Sequence, residues 1–129
     1  KLFDDDMLES IDYDILKKNA TIINAMTKNA VVLKEHSFIM YIPYSEIEKS
    51  DIQESVLIQG ICDLIIIKGE EAILVDYKYS NLSENSLIKK YQKQLELYKK
   101  AIEYGLGKKV DKAYILSIKN ANLIKCNAN

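Results

Sequence analysis

The spacing of hydrophobic residues divides the chain into two helical and five extended segments. Apolar residues recur every three or four positions from about Met7 to Lys28 and from Ser86 to Tyr104, which predicts two helices with one buried face each. Gly105 is expected to end the second helix. The order helix, three strands, helix, two strands predicts an α/β domain with a mixed sheet flanked by helices. The predicted strands, which are rich in β-branched and aromatic residues, are Val31–Tyr44, Val56–Ile67, Glu71–Lys78, Lys112–Ile118 and Asn122–Cys126.

Two carboxylates interrupt the predicted strands. Asp63 lies within an apolar run, and Asp76 ends the next one. The dipeptide Gly69-Glu70 between the two runs fits a two-residue hairpin loop of the type II′ pattern, with glycine first. Counting back from that loop places Asp63 opposite Asp76, where opposed side chains have Cβ atoms roughly 5 Å apart. A shared divalent cation would relieve the repulsion between two such carboxylates, and hard oxygen ligands suit magnesium.

A lysine follows the second carboxylate. Lys78 lies two residues after Asp76, so its side chain is expected on the same face of the strand. An ammonium group there would orient a water molecule and stabilise negative charge that develops on a phosphate. The alternative is a structural salt bridge among Asp63, Asp76 and Lys78, which a D-x-K pattern taken alone would favour. The hairpin register of Asp63, with Gly60 just before it, favours the metal site.

The second predicted helix carries an amide on its apolar face. Gln94 falls on that face, three residues after Tyr91 and four before Tyr98. One interpretation is that Gln94 and Tyr98 face the strand of Asp76 and Lys78, where they shape the site or hold a phosphate. The other is a hydrogen-bonded core glutamine beside a packing tyrosine. The apolar stripe consists of Leu87, Tyr91, Leu95, Tyr98 and Ile102.

Length and composition limit the classes of protein to which this chain can belong. The 129 residues suit one domain spanning 1–129, and the net charge of −1 argues against a free-standing, tight DNA binder. Cys62 and Cys126 form no CxxC motif and no Cys/His cluster, which favours a reduced, cytoplasmic protein without a zinc or iron–sulfur site. The sequence has no apolar run of transmembrane length and no signal peptide. Because it begins at Lys1 without an initiator methionine, we expect it to be a piece of a longer protein.

Three motifs in order resemble a known family. Gly60–Asp63, Asp76–Lys78 and Gln94–Tyr98 resemble the G-x-x-D, D-Y-K and Q-x-x-x-Y signature of RecB/AddA-type nuclease domains, which belong to the PD-(D/E)XK superfamily. The upstream segment Glu35–Phe38 resembles the Glu-x-x-Phe strand of the AddA branch, so the chain looks most like the C-terminal nuclease domain of AddA. The resemblance covers about Glu35 to Tyr98 and implies a restriction-endonuclease-like fold.

The resemblance also implies roles for individual residues. Asp63 and Asp76 would bind the catalytic Mg²⁺, for which Mn²⁺ could substitute, and the backbone carbonyl of Tyr77 would be a third ligand. Lys78 would be the catalytic lysine. The supporting residues would be Glu35, Gln94 and Tyr98.

The same resemblance implies a biological setting. The domain would hydrolyse phosphodiester bonds in DNA within an ATP-dependent helicase–nuclease that processes double-strand breaks for recombinational repair. Its partners would be single-stranded DNA, a helicase domain of the same protein and a second subunit resembling AddB. The chain has no P-loop, so no ATP site is assigned to it.

Two departures from the family pattern matter. The family usually has a metal-site histidine on an upstream helix, whereas the only histidine here is His36, next to Glu35. We therefore expect that helix to lie outside this chain, and cleavage by the chain alone to be weak or absent. Relatives with an iron–sulfur cluster use four cysteines, which this chain lacks. The alternatives are a non-catalytic module that binds nucleic acid or protein with the same fold, and a stand-alone nuclease of phage or restriction type.

Overall fold

The computed structural model describes residues 13–46, 48, 49, 51 and 53–126. Five strands form one sheet in the order β1-β2-β3-β4-β5, with every neighbouring pair antiparallel except the parallel pair β3 and β4. The predicted α/β class with a mixed sheet is confirmed, while the predicted helical residues 7–12 lie outside the described residues. The elements are α1 (Tyr13–Thr27), β1 (Val31–Pro43), a 3₁₀ turn (Tyr44–Glu46), β2 (Ser55–Lys68), β3 (Glu71–Lys78), α2 (Glu84–Leu106), β4 (Lys109–Ser117) and β5 (Asn122–Cys126).

The hairpin between β2 and β3 has the predicted register. Gly69 adopts a φ of 62°, a conformation that glycine takes without steric penalty and that the first residue of a type II′ turn requires. Lys68 pairs with Glu71, and the ladder continues to the pair of Leu64 and Val75. The next residues along the two strands are Asp63 and Asp76, so the two carboxylates lie where β2 and β3 stop pairing.

The two helices cover opposite faces of the sheet. On one face α2 packs against β1, β2 and β3, with Ala101 and Ile102 buried against Phe38, Ile65 and Leu74. On the other face α1 packs against Leu64, Val75 and Leu116. The buried Asn19 fixes α1 in place, because its amide donates a hydrogen bond of 2.8 Å to the backbone carbonyl of Ile118 after β4. Neither helix in the described residues is long and apolar enough to cross a membrane.

Helix α2 extends past the glycine that was expected to end it. Ser83 caps its N-terminus by accepting a hydrogen bond from the backbone N–H of Ser86, and Gly107, with a φ of 66°, caps its C-terminus. The prediction of a stop at Gly105 is therefore wrong, because the helix runs on to Leu106. Gly105 instead provides room for β1, because a Cβ there would lie 2.8 Å from the Met40 methyl carbon.

The regular alternation of side chains between the two faces of the sheet is interrupted at one point in β1 and β2. In β1, Leu33 and Phe38 belong to the cluster under α2, although an odd and an even position of a regular strand face opposite sides. In β2, Cys62 and Ile65 show the same change. The pairs that flank the change are Lys34 with Leu64 and His36 with Cys62, and between them Glu35 has a φ of 48°. Glu35 and Asp63 therefore lie where the sheet is irregular. At this point the alternation of side chains between the two faces is interrupted in both β1 and β2.

Candidate active site

The cluster of polar residues at the end of the β2–β3 ladder begins with Asp63. One of its carboxylate oxygens accepts a hydrogen bond of 2.8 Å from the backbone N–H of Tyr77, which ties β2 to β3 beyond their last ladder pair. The side chain is half-buried and lines a cleft of about 410 Å³ between α1 and the sheet. The cleft is lined by Ala20, Ile23, Asn24, Lys34, Glu35, Asp63 and Tyr77.

Asp76 is the most deeply buried charged residue of the cluster. It is 7% exposed, and the pKa of its carboxyl is raised from 3.8 to about 6, chiefly by burial. The neighbouring Asp63 carboxyl contributes to this rise in pKa, and the ammonium of Lys78 opposes it. The two carboxylates thus repel each other inside the protein, as the hairpin count indicated.

The ammonium of Lys78 lies between a carboxylate and an aromatic ring. Its Nζ is 3.1 Å from Oδ2 of Asp76 and 4.1 Å from the ring centre of Tyr91 on α2. Lys78 therefore shares a strand face with Asp76, and its side chain is 23% exposed. The Tyr91 contact was not anticipated. Its signal in the sequence was the position of Tyr91 on the apolar stripe, one turn before Gln94.

One buried oxygen of Asp76 lacks a well-directed hydrogen bond. By strict geometry Oδ2 has no hydrogen-bond partner among the described residues, although it forms an ion pair of 3.1 Å with Lys78, whose ammonium lowers the pKa of Asp76. A buried carboxylate oxygen that has an ion pair but no well-directed hydrogen bond retains the capacity to accept a further donor or a cation. The donors nearby are hard oxygens, which suit Mg²⁺. Within the described part of the chain, however, His, Cys, Asp and Glu form no group of three or more that could hold a metal ion.

Glu35 lies at the mouth of the same cleft. Its side chain is exposed, and its backbone has a φ of 48°, a strained conformation for a residue with a Cβ. The pKa of Tyr77 is raised to about 12, first by burial and then by the charges of Asp63, Cys62 and Glu35. The neighbouring His36 pairs with Cys62 in the sheet and is absent from the lining of this cleft.

The third motif, Gln94–Tyr98, contacts β1 and β2 rather than Lys78. Gln94 donates a hydrogen bond of 3.2 Å to the hydroxyl of Tyr98, and the Tyr98 ring meets Phe38 edge to face at 5.1 Å between centres. Tyr98 also lies against Gly60 on β2. Tyr98 thus packs over β1 and β2, whereas the aromatic residue of α2 that contacts Lys78 is Tyr91. These contacts agree with the second interpretation, a hydrogen-bonded glutamine beside a packing tyrosine, rather than with a Tyr98 that faces Lys78.

The two cysteines are buried thiols. Cys62 and Cys126 are both free, and burial raises the pKa of Cys62 to about 12, with smaller contributions in the same direction from Asp76 and Asp63. A thiol with so high a pKa is a poor nucleophile and a poor metal ligand at neutral pH. Neither cysteine therefore competes with the carboxylates for a chemical role.

Comparison with known proteins shows the family to which the chain belongs. The model of the PD-(D/E)XK nuclease superfamily matches residues 5–127, and the chain belongs to that superfamily. Within it, the chain is similar to AddA proteins, which are components of ATP-dependent helicase/nucleases. The relative from Listeria monocytogenes serotype 4b is 38% identical over 112 residues, which are 79% of this chain and 9% of the relative. That from Clostridium kluyveri is 40% identical over 110 residues, which are 80% of this chain and 9% of the relative.

The matched share of the chain differs between relatives. A further relative, from Ligilactobacillus salivarius, is 38% identical over 92 residues, or 67% of this chain and 7% of the relative. The chain thus spans less than a tenth of the length of the relatives it matches, and it is similar to their nuclease region. The resemblance to the AddA branch is confirmed.

Proposed function

We propose that this domain is a metal-dependent deoxyribonuclease in which Asp63, Asp76 and Lys78 carry the reaction. The observation that supports the proposal best is the buried carboxylate of Asp76, held beside Asp63 and 3.1 Å from the ammonium of Lys78, with no well-directed hydrogen bond to its Oδ2. A structural salt bridge would be expected to satisfy its buried oxygen. An arrangement that leaves this oxygen without a hydrogen bond favours a site for a cation and a phosphate.

The proposed metal ligands are Asp63, Asp76 and the backbone carbonyl of Tyr77, with Mg²⁺ as the cation and Mn²⁺ as a substitute. When bound, such a cation neutralises phosphate charge and lowers the pKa of a coordinated water. The backbone N–H of Tyr77 orients Asp63 for this role, because it fixes one of the two carboxylate oxygens at 2.8 Å. Because Asp76 is buried, little water reaches its carboxylate.

Lys78 is proposed to act on the substrate through its N–H donors. An ammonium beside the scissile phosphate holds the attacking water by a hydrogen bond and stabilises the negative charge that develops on the phosphate oxygens. Glu35 would contribute a carboxylate at the mouth of the cleft. Gln94 and Tyr98 would act indirectly, by fixing α2 against β1 and β2.

The setting that we propose is an ATP-dependent helicase–nuclease that processes DNA double-strand breaks for recombinational repair in the cytoplasm. It rests on the name shared by the relatives, which are helicase/nuclease subunits. The helicase part of the same protein would deliver single-stranded DNA, and a second subunit resembling AddB would complete the enzyme. Delivery by a motor agrees with the net charge of −1, because the domain then needs little DNA affinity of its own.

The test is cleavage of single-stranded DNA by the full-length protein with Mg²⁺, for the wild type and for Lys78→Ala and Asp76→Asn. Both variants should lose at least about a hundredfold in cleavage rate, a loss typical of removing one electrostatic contact to a transition state. The affinity of Lys78→Ala for DNA should change little, because one contact among many is lost. Lys112→Ala, which removes an exposed lysine of β4, is the matched control.

Two results would contradict the proposal. Retained cleavage by Lys78→Ala together with a large loss of thermal stability would assign Asp63, Asp76 and Lys78 to a salt bridge. Metal-independent cleavage by the wild type would remove the role proposed for the carboxylates. The 129-residue chain alone is expected to cleave weakly, because its described residues offer two carboxylates and no histidine to the cation.

A further inference from the structure

The ammonium of Lys78 is held from two elements at once. Asp76, on the same strand, lies 3.1 Å from Nζ, and the ring of Tyr91 on α2 lies 4.1 Å from it. Tyr91 is half-buried, between the buried Leu87 and Leu95 on the apolar stripe of α2. The ring therefore occupies a fixed place beside the site, set by the packing of the helix against β4 and β5.

The two contacts restrain the ammonium in different ways. The ion pair with Asp76 attracts Nζ towards a carboxylate that the proposed cation also needs. The π face of Tyr91 attracts the same charge without accepting a directed hydrogen bond and without bringing another negative formal charge into the site. A ring thus holds a flexible lysine side chain near the cleft and leaves its three N–H donors available to water and phosphate.

We propose that Tyr91 is a positioning residue for Lys78 in the nuclease reaction. This inference rests on the proposed function, because it assigns to Lys78 the substrate contact described above. The ring face fixes the ammonium, and the Tyr91 hydroxyl has no part in the role. Lys90 lies over the same ring at 5.3 Å, but its side chain is exposed and does not belong to the cluster around Asp76.

The first experiment replaces Tyr91 in the full-length protein and measures kcat and KM for single-stranded DNA with Mg²⁺. Tyr91→Phe keeps the ring and should stay within about twofold of the wild-type kcat. Tyr91→Leu keeps an apolar side chain without a π face and should lower kcat about tenfold with KM unchanged. Tyr104→Leu is the matched control: the same substitution on the same helix, at a tyrosine that is 54% exposed.

A second series of variants changes the electrostatics of the ring and keeps its shape, so that a change in kcat does not reflect altered folding. Phenylalanine analogues with increasing ring fluorination at position 91 keep the shape of the ring and weaken its attraction for a cation. The proposal predicts that kcat falls stepwise along this series while Tm stays constant. A kcat that is constant across the series, or a Tyr91→Phe protein as impaired as Tyr91→Leu, would overturn it. An equal loss of kcat in Lys90→Met would also overturn it, because the ring would then act through the exposed lysine.

Failure of this inference can be told apart from failure of the proposed function. If Lys78→Ala cleaves like the wild type, the nuclease assignment of Lys78 fails, whatever Tyr91 does. If Lys78→Ala is inactive while Tyr91→Leu retains the wild-type kcat, only the positioning role of Tyr91 fails. In the Lys78→Ala background, Tyr91→Leu should have no further effect on the residual rate, since the two residues act as one unit.

Discussion

The ring of Tyr98 lies so close to Gly60 that a side chain at position 60 would collide with it. A Cβ at position 60 would be 2.5 Å from the Tyr98 hydroxyl oxygen and 2.7 Å from the ring carbon that bears it. The ring is fixed in turn by the hydrogen bond from Gln94 and by the edge contact with Phe38. Two motifs that are distant in sequence therefore meet here, and their contact locks α2 onto β2 three residues before Asp63.

This contact predicts the outcome of Gly60→Ala. The added methyl must displace the Tyr98 ring, so we expect a loss of about 1–3 kcal/mol in the free energy of unfolding, measured by urea denaturation. The loss should largely disappear when Tyr98→Leu is already present, because the obstructing ring is gone. Gly69→Ala is the control, since nothing lies within 4 Å of its added methyl and its penalty comes from a φ of 62°. An additive double variant would show that Gly60 is required for another reason.

The parts of the fold that follow from local rules were predictable from the sequence. A two-residue loop with glycine first fixes a hairpin register, and counting from Gly69 gave the pair Leu64–Val75 and the juxtaposition of Asp63 and Asp76. The motifs then identified the family, because their order and spacing carry more information than a single D-x-K pattern.

The remaining features depend on contacts between elements that are far apart in sequence. Gly105 resembles a helix stop, yet the helix continues to Leu106 and is capped by Gly107, while Gly105 lies where a Cβ would meet Met40 of β1. The change of phase at Glu35 needs a backbone conformation that no local signal announces for a glutamate. The contact of Tyr91 with Lys78 depends on how α2 crosses the sheet, and a stripe of apolar residues gives a buried face but no crossing angle.

The raised pKa of Asp76 predicts how stability depends on pH without metal. Its pKa in the folded protein is about 6, above the ordinary value of 3.8, so the folded state binds the proton more tightly than the unfolded state. The stability contributed by the proton is fully present below about pH 4 and is lost as pH rises through about 6. The size of the effect is on the order of 3 kcal/mol.

The variant Asp76→Asn isolates this effect. An amide cannot ionise, so in EDTA the variant should become progressively more stable than the wild type between about pH 4 and pH 7, with a constant difference above that. Chemical denaturation at a series of pH values measures the difference directly. Asp111→Asn, at an exposed carboxylate, should show no comparable trend. A parallel pH dependence for Asp76→Asn and the wild type would mean that Asp76 is not destabilised by its charge.

A shared cation predicts that added metal stabilises the wild type more than the variants that lack one of the two carboxylates. At about ten times the dissociation constant, Mg²⁺ or Mn²⁺ should stabilise the wild type by about 1.4 kcal/mol, which is a rise in Tm of roughly 5 °C. Asp63→Asn and Asp76→Asn should each lose most of that rise, because each removes one of the two carboxylates that the described residues offer. Thermal melts in EDTA and in a metal titration provide the measurement. The same rise in all three proteins would place the bound metal elsewhere.

The last prediction separates strain from chemistry at Glu35. Its φ of 48° is unfavourable for a residue with a Cβ, and strained residues of this kind cluster at functional sites. Glu35→Gly should raise the free energy of unfolding by about 0.5–1 kcal/mol, because relief of the strain exceeds the entropy that glycine loses on folding. Glu35→Gln retains the strain and removes the charge, so it should not show this gain in stability. If the carboxylate serves the cleft that it lines with Asp63 and Tyr77, both variants should lose about tenfold in DNA cleavage by the full-length protein, or about 1.4 kcal/mol of transition-state stabilisation. Glu70→Gln, at an exposed glutamate of the β2–β3 turn, is the control. Normal cleavage by both Glu35 variants would make the strained backbone a purely structural feature, namely the point at which β1 changes the phase of its side chains.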